Sequence, residues 1–238
     1  MTRARVRAGI AATFVIIAAA MAIAIGRQTP RATPLADRPT LLLLTSLPLV
    51  FGETFSVDGG SPALTALQTR YQVVPISVTD DADLAKGRLL LMAQPLAQPA
   101  EDLVALDAWV RRGGRVLLLA DPALDWPSQR PLGDPLRPPP MFADTGLLGH
   151  WGLVLHGSDA RGPQTRGLAG RQIITVSPGR LSGTCAISPD GLVAVCRVGQ
   201  GYASIIADAD LLNTAALDQS AQPNLDALLA ELAALEQR

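Results

Sequence analysis

An α/β fold built on a doubly wound parallel sheet is predicted from three observations. Short, continuously apolar runs recur at 40–45, 88–93, 115–120 and 202–207, the pattern of strands buried on both faces. Helical spacing of apolar residues fills gaps between them, and short joins mean right-handed crossovers with helices on both faces of the sheet. Of the 238 residues, those after an N-terminal segment of about thirty suit one domain with a single substantial core.

Each element has a local cause. Thr40 to Thr45 (TLLLLT), bounded by Pro39 and Pro48, supplies the first strand. Ser61 followed by Pro62 starts a helix with a side-chain cap and proline at its first position, and Leu64, Leu67 and Tyr71 fall on one face. Tyr71 to Val78 (YQVVPISV) returns as a second strand, at an edge because Pro75 removes a ladder donor. Arg88 to Ala93 (RLLLMA) is the third strand. Pro99 opens a helix whose Leu103, Leu106 and Val110 recur at helical spacing, with Gly113 and Gly114 to end it. Arg115 to Ala120 (RVLLLA) follows as the fourth strand.

Beyond it, prolines recur at 127, 131, 135 and 138–140, which excludes regular structure and makes a stiff, extended surface loop. A short helix is expected from Asp144. Gln172 to Ser177 and Thr184 to Val198 read as β-structure, the latter broken by SPDG at 188–191 into a hairpin inserted in the fold. Tyr202 to Ala207 (YASIIA) is the last core strand, and Leu225, Leu228, Leu229, Leu232 and Leu235 mark a C-terminal helix packing on the sheet.

The N-terminus carries a placement signal. Arg3, Arg5 and Arg7 precede an uncharged stretch from Ala8 to Gly26, and charge resumes at Arg27 and Arg31. A bilayer needs roughly 20 apolar residues, whereas a signal-peptide core takes about 7 to 15. The denser positive charge on the leading side keeps the N-terminus inside the cell and sends the domain out. Ala18, Ala20, Ala22 and Ala24 also offer a cleavage site, so an uncleaved anchor and a removed signal are both expectations. The organisation expected is an anchor or signal over 1–27, a linker over 28–39, and one exported domain over 40–238, in a single-pass protein of the bacterial inner membrane. Net charge is −1 with no basic stripe, so nucleic acid is not an expected partner.

Cys185 and Cys196 lie on the two arms of the hairpin. With a two-residue turn at Asp190 and Gly191 they face each other as a hydrogen-bonded pair, and a disulfide is feasible in the periplasm. Free, small buried residues are the alternative. Two cysteines without a nearby histidine do not make a metal site.

In an open parallel sheet, ligands bind where loops leave the carboxyl ends of the strands. Ser46 and Glu53 follow the first strand, Gln94 the third, Asp121 and Trp126 the fourth, and Asp208 and Asp210 the last. Glu53, Asp121, Asp208 and Asp210 could bind a divalent metal or hydroxyl groups, but Asp is equally a routine cap and turn former at such joins. His150 and His156, in HWGLVLH, read as structural. No GxSxG elbow, GxGxxG loop or GxxxxGKS/T loop is present, so no catalytic residue, metal or cofactor is expected.

The segments LLTSLPLVFGE (43–53), LVALDAWVRRGGRVLLLADPALDWP (103–127) and VGQGYASIIADADLLN (198–213) together resemble the periplasmic domain of gliding-motility-type ABC-transport auxiliary proteins. That group is similar in fold to class I glutamine amidotransferases without their catalytic cysteine. The resemblance implies a flavodoxin-like sheet, a non-enzymatic accessory role, and an ABC permease and ATPase as partners. The rival expectation is an unusual hydrolase or carbohydrate-binding enzyme using Glu53, Asp121 and Asp208.

Overall fold

The computed structural model describes residues 38–51, 60–214 and 221–238. The hydrophobic segment 1–27 and Glu53 lie outside the described residues. Among the described residues no helix is long and apolar enough to cross a membrane.

A largely parallel seven-stranded sheet organises these residues, running in space from Gln72–Pro75 through Thr40–Thr45, Leu89–Ala93, Arg115–Leu119, Gly201–Ile206 and Val193–Val198 to Ala186–Ile187. Its parallel strands are β1 (Thr40–Thr45), β2 (Gln72–Pro75), β3 (Leu89–Ala93), β4 (Arg115–Leu119) and β11 (Gly201–Ile206). Alternate residues of the apolar runs point to opposite faces. Leu41, Leu43, Leu91 and Leu117 join one core with Leu64 and Leu67 of α1 (Pro62–Arg70) and Leu228 and Leu232 of α5 (Ala221–Glu236). Leu42, Leu44, Leu90 and Leu118 join the other, with Leu84 of α2 (Asp81–Leu84) and Leu106, Trp109 and Val110 of α3 (Ala100–Arg111). Helices thus cover both faces, which is why the central strands carry no polar alternation.

Local signals set the element ends. The Ser61 hydroxyl accepts from the Leu64 N–H at 3.1 Å. At the end of α3, Gly113 is left-handed (φ 104°), while Gly114 N–H donates to the Trp109 carbonyl and Gly113 N–H to that of Val110, the paired bonds that close a helix at glycine. The GQG turn of 199–201 docks on this end: Gln200 N–H reaches the Arg111 carbonyl at 3.0 Å. A Cβ on Gly201 would stand 2.1 Å from the Gly114 carbonyl oxygen and 2.2 Å from that of Val110. The two glycine motifs of the sequence are therefore two sides of one contact.

The C-terminal half departs from expectation. The expected hairpin forms, between β9 (Ala186–Ile187) and β10 (Val193–Val198), but it is not separate from the main sheet. Through β10 it pairs antiparallel with β11 and forms the sheet's far edge. Nor is its turn a two-residue one. Gly191 N–H bonds the Ser188 carbonyl and Ser188 N–H bonds the Val193 carbonyl, so Ser188 and Val193 close the ladder and its alternation shifts by one residue. Cys185 and Cys196 consequently fall at a non-hydrogen-bonded position, where Cα atoms approach most closely. Their Cα atoms are 4.8 Å apart, and a disulfide joins them.

Two small antiparallel pairs flank the sheet: β5 (Leu153–His156) with β8 (Arg180–Gly183), and β6 (Pro163–Leu168) with β7 (Arg171–Val176). The proline-rich segment carries no helix or strand before α4 (Leu147–His150). It folds back on itself and returns to the sheet, where Phe142 N–H donates to the Asp121 carbonyl at 2.6 Å and Leu124 N–H to that of Pro140 at 3.0 Å.

Candidate functional site

Register brings the acidic residues together. Leu119 pairs with Ile206 at the carboxyl ends of the neighbouring strands β4 and β11. Asp121 and Asp208 each lie two residues further on, side by side. Asp210 opens the 3₁₀ turn Asp210–Leu212 and completes a trio in which one carboxylate oxygen from each residue lies within 4.8 Å of the others. Asp121, Asp208 and Asp210 are 0, 0 and 1 % exposed.

Most of their oxygens are engaged. Asp121 accepts from the Ala123 N–H at 2.8 Å and the Ala209 N–H at 2.9 Å. Asp208 accepts from the Leu211 N–H at 2.9 Å and from the Thr175 hydroxyl. The Asp210 Oδ2 atom accepts from the Asp125 N–H at 2.9 Å, while its Oδ1 is buried with no hydrogen-bond partner. Burial dominates the electrostatics and holds all three carboxyls above the usual carboxylate range. Asp208 stands well above it, with the Asp121 charge adding to the effect of burial. Asp210 is pushed up to about 7, first by burial and then by its acidic neighbours Asp121 and Asp125, against the Asp125 N–H.

Gln94 is the polar strut beside this trio. It follows β3 with φ 44° and is fully buried. Its side-chain amide spans a gap, accepting from the Asp121 N–H at 2.9 Å and donating to the Asp121 and Pro139 carbonyls at 3.2 and 3.3 Å. The Ser46 hydroxyl donates to the Gln94 carbonyl. Ser46, Gln94 and the three aspartates thus belong to one hydrogen-bonded edge. Trp126 instead packs half-buried against the core on the α1 and α5 side.

The proline-rich segment closes over this edge and leaves apolar side chains on its outside, with Leu132 87 % and Leu136 67 % exposed. A cavity of about 370 Å³ opens between Ser46, Leu47, Pro75, Leu96, Arg130 and Leu136.

Two residues that the sequence reading did not select hold the trio's surroundings. Thr175 reaches Asp208 from β7, and its inward position follows from strand alternation in QIITV. Asn224 of α5 accepts from the Ile174 N–H at 2.9 Å and donates to the Leu211 carbonyl at 3.1 Å, tying helix, hairpin and 3₁₀ turn. Its signal is a lone Asn on an otherwise apolar helix face.

The histidines take surface positions. His150 lies 3.4 Å from Asp107 and 3.3 Å from Arg111, and His156 is 2.7 Å from the Ser182 hydroxyl. Burial alone would raise Asp107, but hydrogen bonds from Arg111 and the Trp151 indole hold its carboxyl below the usual range. The cluster joins α3 to α4.

No family model and no curated protein matches the chain. Among solved structures it is similar to the exo-beta-1,4-mannosidase Op5Man5 from Opitutaceae bacterium strain TAV5, at 16% identity over 82% of this chain, with a TM-score of 0.52. The chain spans 36% of that enzyme's length. It is also similar to the mmIFT52 N-terminal domain, at 12% identity over 82% of this chain and 97% of that one, with a TM-score of 0.54. The cytoplasmic protein STM3548 from Salmonella typhimurium shows 10% identity over 82% of this chain and 98% of its own, with a TM-score of 0.52. At these identities the likeness is one of fold.

Proposed function

We propose that the chain is a non-enzymatic binding or scaffold domain of the flavodoxin-like, doubly wound kind, held at the outer face of a bacterial inner membrane by residues 1–27. It serves there as an accessory subunit of an ABC-type transport or envelope system whose permease and ATPase are separate chains. One observation carries the non-enzymatic part: the acidic residues at the ends of β4 and β11, the candidates for chemistry, are closed off from solvent. Their carboxylates are buried and bonded to backbone N–H groups, and the proline-rich segment covers them. Two further features support the setting. A disulfide suits an oxidising compartment, and exposed Leu132, Leu136 and Met141 give a partner apolar contacts on that cover.

The rival reading, an unusual hydrolase or carbohydrate-binding enzyme, draws on the close approach of Asp121 and Asp208. It requires a cleft open to substrate, which their burial opposes. The test is photo-crosslinking in cells, with a crosslinking residue placed in the full chain at Leu132 or Leu136. The proposal expects adducts with an integral membrane protein that co-purifies with an ATPase. Recovery of the chain only as a lone species from both positions contradicts it.

A further inference from the structure

We infer that Asp121, Asp208 and Asp210 together hold one divalent cation of the hard, oxygen-seeking class, with Ca²⁺ the best fit. The site is independent of what docks on the domain. Two separate observations point to it. First, the fixed register of β4 and β11 forces two carboxylates side by side and the 3₁₀ turn adds a third, all within 4.8 Å and out of solvent. Like charges at that separation in a dry site repel strongly unless something positive sits among them. The ion pairs among the described residues all lie elsewhere. Second, Asp210 Oδ1 is a buried carboxylate oxygen with no partner, and such a group is costly unless a ligand satisfies it.

The donor set selects the ion. Three carboxylates and no nitrogen or sulfur suit Ca²⁺ or Mg²⁺ rather than zinc or copper. Mg²⁺ demands a tight, regular octahedron with oxygens at about 2.0–2.1 Å, whereas carboxylate oxygens spread over up to 4.8 Å match the longer Ca²⁺–oxygen distance of about 2.4 Å. Ca²⁺ accepts irregular cages of protein oxygens. The oxygens that accept N–H bonds keep a further lone pair for the ion, so the capping bonds orient the carboxylates without consuming them.

The test uses the full chain in mild detergent, stripped with EDTA, then titrated with CaCl₂ or MgCl₂ while thermal unfolding and bound metal are followed. One equivalent of Ca²⁺ is expected to bind and raise the melting temperature by several degrees, with Mg²⁺ at least tenfold weaker. Asp210→Asn keeps the shape and the acceptor for Asp125, and is expected to lose Ca²⁺ affinity at least tenfold while remaining folded. Asp121→Asn is the second variant, with the same loss expected. No calcium bound at millimolar concentration would overturn the inference and leave protons to neutralise the trio. So would an Asp210→Asn chain that binds and responds as the parent does.

Discussion

Removing the Cys185–Cys196 bridge is expected to cost the domain about 3 kcal/mol. The bridge closes a loop of sequence separation 11. Cross-linking such a loop takes about 9 cal/mol/K from the entropy of the unfolded chain, which gives that figure at 25 °C. The native geometry adds little strain to offset it, because the cysteines occupy a non-hydrogen-bonded pair whose Cα atoms are already 4.8 Å apart. Double replacement by alanine is the cleaner perturbation, since a serine at Cys196, 2 % exposed, would bury a hydroxyl among apolar neighbours. For a domain of this size the loss lowers the melting temperature by roughly 6 to 12 °C. The damage should start at the sheet edge, where β9 contributes only two paired residues. The assay is urea unfolding of oxidised, reduced and double-alanine chains, with hydrogen exchange to locate the loosened backbone. Equal stability of all three, or loosening centred on β1 and β3 rather than β9 and β10, would refute the reasoning.

Without divalent cations, stability should fall as pH rises from about 4 to 7, because folded Asp210 keeps its proton up to about 7 whereas the unfolded residue loses it near 3.8. At about 1.4 kcal/mol per pH unit, Asp210 alone contributes a fall of at most about 4 kcal/mol. Asp208, raised in the same direction, adds to it. Denaturant unfolding across that range should show the slope, reduced by Asp210→Asn; a stability that climbs with pH would contradict it. Gly201→Ala should destabilise by about 3 kcal/mol, the upper end for overpacking, because its Cβ meets two backbone carbonyl oxygens. Gly149→Ala, in α4 with nothing within 4 Å of the new Cβ, should be neutral or slightly stabilising in the same thermal melts.

The central sheet was legible because strands covered on both faces leave an unmistakable residue pattern. TLLLLT, LLLMA and RVLLL admit no solvent face. Pro75 announced the edge strand, which β2 is. Other elements left no such trace. RLSG and PQTRGL expose much of their surface, so β6 and β8 carry no apolar run. DADL buries a single leucine, so α2 has no periodicity to read. The hairpin's place in the main sheet depends on β10 pairing with β11, and its ladder phase depends on a turn centred one residue earlier than DG suggests.

The candidate site was half legible for the same reason. Asp121 and Asp208 stood at strand ends in the sequence, but their meeting requires that β4 and β11, far apart along the chain, lie next to each other. The closure of the edge by Pro139, Pro140 and Phe142 had no sequence signal beyond the prolines themselves. The burial of Asp121, Asp208 and Asp210 is likewise a property of the packed whole.

The most direct measurement of the proposed placement is a reporter at the C-terminus of the full chain in a bacterial host. An alkaline phosphatase fusion, which folds actively only outside the cytoplasm, should be active and membrane-associated. A fusion that is inactive, while a cytoplasmic reporter at the same position is active, would contradict the export on which the proposed role depends.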